Sequence, residues 1–180
     1  MCDEISKALP DNAILVGDTG YSAVWSAGCI KMKKSQTYFR AGGSLGWAFP
    51  ASLGVKCALP DRPVFCFAGD GAMFYHLCEI ETACHYGINT ITLINNNNIL
   101  AQSAFGINKV FDGDLSKAAP RYTFTGRNFA KLAEDFGAVG IRIEDPAEIG
   151  AAMQKALTMN KPVVIEVMTD PDANVPAAID

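Results

Sequence analysis

The sequence is short of the features that would announce several common functions. No apolar run reaches the roughly 18 residues a membrane-spanning helix needs, and no signal peptide opens the chain. Six cysteines (Cys2, Cys29, Cys57, Cys66, Cys78 and Cys84) form neither a CxxC pair nor a zinc-ligand spacing. Several sit inside apolar runs, where cysteine acts as a small hydrophobe, so reduced thiols in a cytoplasmic protein are expected. Basic residues are outnumbered, 15 against 19 acidic, for a net charge of −4. Their only cluster, Lys31, Lys33 and Lys34, suits a solvated loop, and a nucleic-acid partner is not expected. The nucleotide motifs are missing too: no GxGxxG follows a strand, and GxxxxGK[ST] is absent. With no internal repeat, low-complexity tract or linker, the 180 residues read as one domain.

What the chain has is alternation. Short β-branched runs occur at Ala13–Val16, Val64–Ala68, Thr90–Ile94, Gly140–Ile143 and Val163–Val167. Such nearly continuous apolar runs suit strands covered on both faces. Helical patterns separate them: Ser22–Cys29, Leu45–Leu59, Met73–Tyr86, Phe129–Phe136 and Pro146–Met159, the last opened by Asp145 as N-cap. The expected fold is therefore α/β, a three-layer α/β/α doubly wound parallel sheet. Asn98–Thr125 lacks a clear period, and long loops of that kind are usually functional.

Ligands of doubly wound sheets bind beyond the carboxyl ends of the strands. Those ends read Asp18-Thr19-Gly20, Gly69-Asp70-Gly71 and Asn95 to Asn98. If the second and third are neighbours, about 4.8 Å apart, the Asp70 carboxylate and an asparagine amide oxygen can converge on one ion. Few charges, oxygen ligands and room for a phosphate describe magnesium. Gly71 opens a helix whose free N–H groups favour an anion, so a magnesium diphosphate is the expected ligand.

GDG, one helix, then a strand ending in paired asparagines resembles the signature of thiamine-diphosphate-dependent enzymes. Asn97 lies 27 positions beyond Asp70, at the family's spacing. The stretch Arg40–Pro50, RAGGSLGWAFP, and the later NFAKLAEDFGA and PVVIEVMTDPD resemble the acetolactate synthase and benzoylformate decarboxylase group. The resemblance implies the thiamine-diphosphate-binding fold, with thiamine diphosphate and Mg2+ as cofactors. Asp70, Asn97 and the Ile99 carbonyl would hold the metal, although the four-asparagine run leaves Asn96 as an alternative to Asn97. Gly69, Gly71, Ala72, Thr19 and Tyr21 would contact the diphosphate. Leu45 would wedge beneath the cofactor and keep it folded, with Gly43 supplying a carbonyl to the pyrimidine amino group and Ser44 between them.

The same resemblance implies an omission. The family's activating glutamate belongs to a pyrimidine-binding domain, for which this chain has no room, and Glu79 and Glu81 lie on the wrong side of the site to replace it. The expected protein is thus half of a 2-oxo acid decarboxylase or carboligase, a homo-oligomer completed by a pyrimidine-binding domain or subunit. Two alternatives stay open: the β-type subunit of a split enzyme such as sulfopyruvate decarboxylase, and a non-catalytic magnesium- or nucleotide-binding module. His76 and His85 suit packing or surface roles. Trp25, Trp47, Phe65, Phe67 and Phe74 read as core aromatics, and Arg40 as a loop residue that could face a carboxylate.

Overall fold

A computed structural model describes residues 1–40 and 42–173. Helix α1 (Cys2–Ala8) precedes strand β1 (Ile14–Gly17), helix α2 (Tyr21–Cys29) and strand β2 (Thr37–Arg40). Helix α3 (Ala48–Ala58) leads to strand β3 (Val64–Gly69), and α4 (Asp70–His76) and α5 (Glu79–His85) lead to strand β4 (Ile91–Asn96). Then come α6 (Ala101–Val110), α7 (Leu115–Ala118), α8 (Phe129–Asp135), β5 (Val139–Ile143), α9 (Ile149–Thr158) and β6 (Val163–Met168). Every strand pair is parallel, in the order β2-β1-β3-β4-β6-β5.

Side chains alternate across the sheet, and each set builds its own core. Leu15, Phe65, Phe67, Leu93 and Ile165 face one layer, where Ile5 of α1 and Ile149 and Met153 of α9 cover them and Trp25 of α2 packs alongside. Ile14, Val16, Cys66, Ile94 and Val164 face the other, under Phe49 and Leu53 of α3, Met73 of α4, Ile80 of α5 and Phe129 of α8. Burying Phe65 or Phe67 completely is worth about 2–3 kcal/mol each. The crossovers β1 to β2 and β5 to β6 use the first face and the three others use the second, as a uniform crossover hand requires. The chain reverses direction at β1, whose neighbours are β2 and β3, and the resulting crevice lies beyond the carboxyl ends of β1 and β3. The expected three-layer doubly wound fold is the one observed.

Several elements differ from the sequence reading. β2 is an additional edge strand, half-exposed and too mixed to show an apolar run. The helix expected from Leu45 starts at Ala48, because Gly46 adopts φ +94° in the loop before it. The segment after GDG is split into α4 and α5. Asn98–Thr125 contains α6, which buries no residue, and the single turn α7 capped by Asp114, so no core-facing period was there to read. Asp145 does cap its helix, accepting from the Ala147 N–H at 2.9 Å, although the first turn is a 3-10 helix, Pro146–Glu148. Among the described residues no helix is long and apolar enough to cross a membrane.

Candidate functional site

A cavity of about 410 Å³ opens at the carboxyl edge of the sheet. Its walls are the turn after β1 (Thr19 to Ser22), the start of α4 (Gly69 to Ala72), the loop after β4 (Asn97, Ile99 and the head of α6) and the end of β6 (Met168 to Asp170). Leu45 closes one side. The sheet register explains the convergence, since Gly69 pairs with Asn95 and Asn96 with Met168. The two segments approach closely at Gly71: a Cβ there would lie 2.5 Å from Leu100 Cδ2, so the Leu100 side chain, which comes from the loop after β4, would have to move.

Asp70 is only 3% exposed. Its Oδ1 accepts the Gly71 N–H at 2.7 Å, while Oδ2 is buried with no hydrogen-bond partner. Burial pushes its carboxyl up from 3.8 to about 6, against the backbone N–H groups of Gly71, Asn98, Asn97 and Ile99, which pull it down. An orphaned buried carboxylate oxygen is costly unless something occupies the place of its partner. Among the described residues no group of three or more His, Cys, Asp or Glu is placed to hold a metal ion. A cation here would therefore be held by one carboxylate with amide, carbonyl and ligand oxygens, a donor set suited to Mg2+ carrying a phosphate.

The loop after β4 is fixed by its own hydrogen bonds. Asn98 takes a left-handed conformation, φ +60°, which asparagine tolerates. The Asn98 N–H donates to Asn96 Oδ1 (3.1 Å) and the Ile99 N–H to Asn97 Oδ1 (3.2 Å), two successive Asx turns. Leu100 N–H to the Tyr122 carbonyl and Phe124 N–H to the Asn98 carbonyl, both 2.7 Å, clamp the loop from outside. No described hydrogen bond ends on the Ile99 carbonyl, which leaves that oxygen free. Asn97 and Ile99 line the cavity, whereas Asn96 is fully buried and points inward. Its Nδ2 donates to Glu166 Oε1 at 2.7 Å and to the Arg127 carbonyl at 3.3 Å.

Two buried acids were not singled out from the sequence. Asp18 is fully buried and accepts the N–H groups of Thr19, Gly46 and Ala48. Glu166, also fully buried, accepts from Asn96, from the Ala130 N–H at 3.3 Å and from Arg142 at 3.2 Å. For Glu166 the available signal was an acid inside an apolar strand, since such residues are almost never fully buried without a partner; Asp18, just past β1, carried no such mark.

Of the other expected residues, Thr19, Tyr21, Gly69, Asp70, Gly71, Ala72 and Leu45 line the cavity. Gly43 and Ser44 lie on the same loop as Leu45 but are exposed and outside its lining. His76 packs near Gly46, and His85 stacks on Tyr86 beside Glu81, away from the cavity. Glu79 is half-buried and Glu81 exposed, and no glutamate lines the cavity among the described residues. Two aromatics are corrected. Trp47 is 40% exposed on the loop before α3, and Phe74 is 37% exposed, stacking on Phe124 and Phe129 at the rim of the second core.

Fold and cavity together define an α/β domain of the doubly wound kind with an oxygen-rich cavity at its switch point, lined by the carboxylates of Asp70 and Asp170. Residues 18–167 match the family model described as "Thiamine pyrophosphate enzyme, C-terminal TPP binding domain", and the chain belongs to that family. It is 32% identical over 176 residues to the acetolactate synthase large subunit of Haemophilus influenzae, covering 96% of this chain and 30% of that protein. It is 31% identical over 165 residues to a probable acetolactate synthase large subunit of Methanococcus aeolicus, covering 90% and 27%. A putative acetolactate synthase large subunit of Mycobacterium tuberculosis is 30% identical over 175 residues, covering 96% and 31%. The chain thus spans about 30% of the length of these relatives.

Proposed function

We propose that this chain binds the magnesium-diphosphate end of thiamine diphosphate and forms half the active site of an acetolactate synthase-like enzyme acting on 2-oxo acids. The observation that carries the reading is the orphaned Asp70 Oδ2, buried at a cavity that Asn97 and Ile99 also line. In this reading Asp70, Asn97 and the Ile99 carbonyl hold Mg2+; Asn97 is favoured over Asn96 because it lines the cavity, while Asn96 is fully buried with its Oδ1 accepting the Asn98 N–H. The backbone of Gly71 and Ala72 at the start of α4 meets the diphosphate, together with Thr19 and Tyr21, the Gly71 N–H being shared with Asp70 Oδ1. Leu45 supports the thiazolium and pyrimidine rings, and Gly43 and Ser44 face outward toward a pyrimidine-binding domain or subunit that completes the site. When bound, the cofactor supplies a carbanion and an electron sink; the chain's part is to hold and orient it. The active assembly is a homo-oligomer of such completed units.

Calorimetry tests this directly. A bound diphosphate carries about three negative charges, which an ionised Asp70 would repel without an intervening cation. Thiamine diphosphate should bind in Mg2+ and not in EDTA, and Asp70→Ala should weaken binding at least about tenfold, the factor equivalent to 1.4 kcal/mol. Equal affinity for wild type and Asp70→Ala in Mg2+ would overturn the metal assignment. ADP binding as tightly as thiamine diphosphate would point instead to a general nucleotide site.

A further inference from the structure

Asp18 is a carboxylate with no exposure and no cationic partner among the described residues. Its Oδ1 accepts the Thr19 N–H (2.8 Å) and the Gly46 N–H (2.9 Å), and its Oδ2 accepts the Ala48 N–H (2.7 Å). Three charge-assisted bonds offset its desolvation, helped by the amino end of α3, at whose first residue Ala48 stands. Capping α3 needs no such arrangement. A serine or asparagine at the N-cap would do it locally, yet that position is Trp47, which makes no side-chain cap. The carboxylate comes instead from the end of β1 and joins two loops far apart in sequence.

Those two loops are the turn of Thr19 and Tyr21 and the loop of Gly43 to Trp47. The Gly46 N–H that Asp18 holds belongs to the residue immediately after Leu45. Gly46 is itself pressed on α4: a Cβ there would lie 2.7 Å from Tyr75 Cβ and 3.1 Å from the Ala72 carbonyl. Asp18 thereby joins the turn of Thr19 and Tyr21 to the Leu45 loop, which Gly46 seats on the helix bearing Asp70.

We propose that Asp18 is a positioning residue that presets Leu45 against the cofactor rings relative to the diphosphate site. The inference rests on the cofactor reading above. It separates two ligands, since thiamine diphosphate needs both loops in register and inorganic diphosphate only the turn and α4. In the 180-residue chain with Mg2+, Asp18→Asn should weaken thiamine diphosphate about tenfold more than inorganic diphosphate, by calorimetry. Amide exchange at Gly46 and Ala48 should quicken by a similar factor, with the β3 and β4 amides unchanged. In the wild-type chain these two amides should already be protected without ligand, a measurement that needs no variant. Equal weakening of both ligands, weakening of neither, or unprotected Gly46 and Ala48 amides before binding would each overturn the inference alone. A wild-type chain that binds neither ligand would overturn the cofactor reading with it.

Discussion

Asn96 Nδ2 donates to Glu166 Oε1 over 2.7 Å, with both side chains fully buried behind the cavity. On the opposite side of the amide, Asn96 Oδ1 accepts the Asn98 N–H, so Glu166 grips from behind the turn that presents Asn97 and Ile99. Glu166→Gln places an amide where the Ala130 N–H also donates, leaving buried donors opposed. It should cost about 1–3 kcal/mol in urea unfolding and raise several-fold the Mg2+ concentration needed for thiamine diphosphate binding. Arg142 pairs with the same carboxylate from a one-third exposed position. Arg142→Ala should therefore lower stability without changing the Mg2+ requirement; an unchanged requirement in Glu166→Gln would show that the turn does not depend on it.

Asp70 predicts a conflict between stability and binding. Its carboxyl is raised from 3.8 to about 6 by burial, so the folded chain without metal holds a proton that the unfolded chain has released. Between those values, stability from this group falls as pH rises; the penalty is complete above about pH 6 and absent below about pH 4. Asp70→Asn removes an ionised buried group and should raise the melting temperature of the metal-free chain at pH 7.5 while abolishing Mg2+-dependent binding. At pH 4 the gain in melting temperature should vanish. A variant melting below wild type at pH 7.5 would mean that the carboxylate is stabilised in a way the orphaned Oδ2 does not reveal.

How much of this was legible depended on where each signal lay. The strands ending at Gly17, Gly69 and the asparagine run carry β-branched residues because helices cover both their faces, and that pattern is local. That Asp70 and Asn97 meet at one cavity was readable because one crossover sets their separation. β2 was not, since Thr37 to Arg40 sits half-exposed at an edge and shows neither alternation nor an apolar run. α6 escaped because it buries nothing, and amphipathic periodicity reports burial. Proposing Asn97 over Asn96 as the ligand took the fold, in which Asn96 is fully buried and held by Glu166, 70 residues away in sequence. Asp18 stood at a strand end, yet its partners are main-chain groups 28 and 30 residues on, to which composition is blind.

Leu45 is half-buried, packing against the core under α3 while lining the cavity. Leu45→Ala removes surface that the cofactor rings would cover but touches nothing that holds the diphosphate. Inorganic diphosphate should bind the variant as it binds wild type. Turnover in an assembly containing the pyrimidine-binding half should drop by an order of magnitude or more, given about 2–5 kcal/mol for a leucine truncation at a packed contact. Unchanged turnover would remove Leu45 from the site.

The half-site reading makes its sharpest prediction for the chain alone. Asp70 and Asp170 are the only acids lining the cavity among the described residues; Asp70 is assigned to the metal, and Asp170 is exposed at the end of β6. In the half-site reading neither supplies the proton that the pyrimidine ring needs, and Glu166 is engaged by Asn96, Ala130 and Arg142. Trp47, 40% exposed, and Phe39, 43% exposed, leave apolar surface of the kind that partners cover. The purified chain, saturated with Mg2+ and thiamine diphosphate, should bind the cofactor yet turn over pyruvate and benzoylformate no faster than free cofactor. In size-exclusion chromatography it should self-associate. Supplying a pyrimidine-binding domain should restore turnover, and a glutamate-to-glutamine change in that domain should abolish it again. Steady turnover by the chain alone would mean that an acid within it does the work assigned to the missing half, and Asp170→Asn would be the variant to identify it.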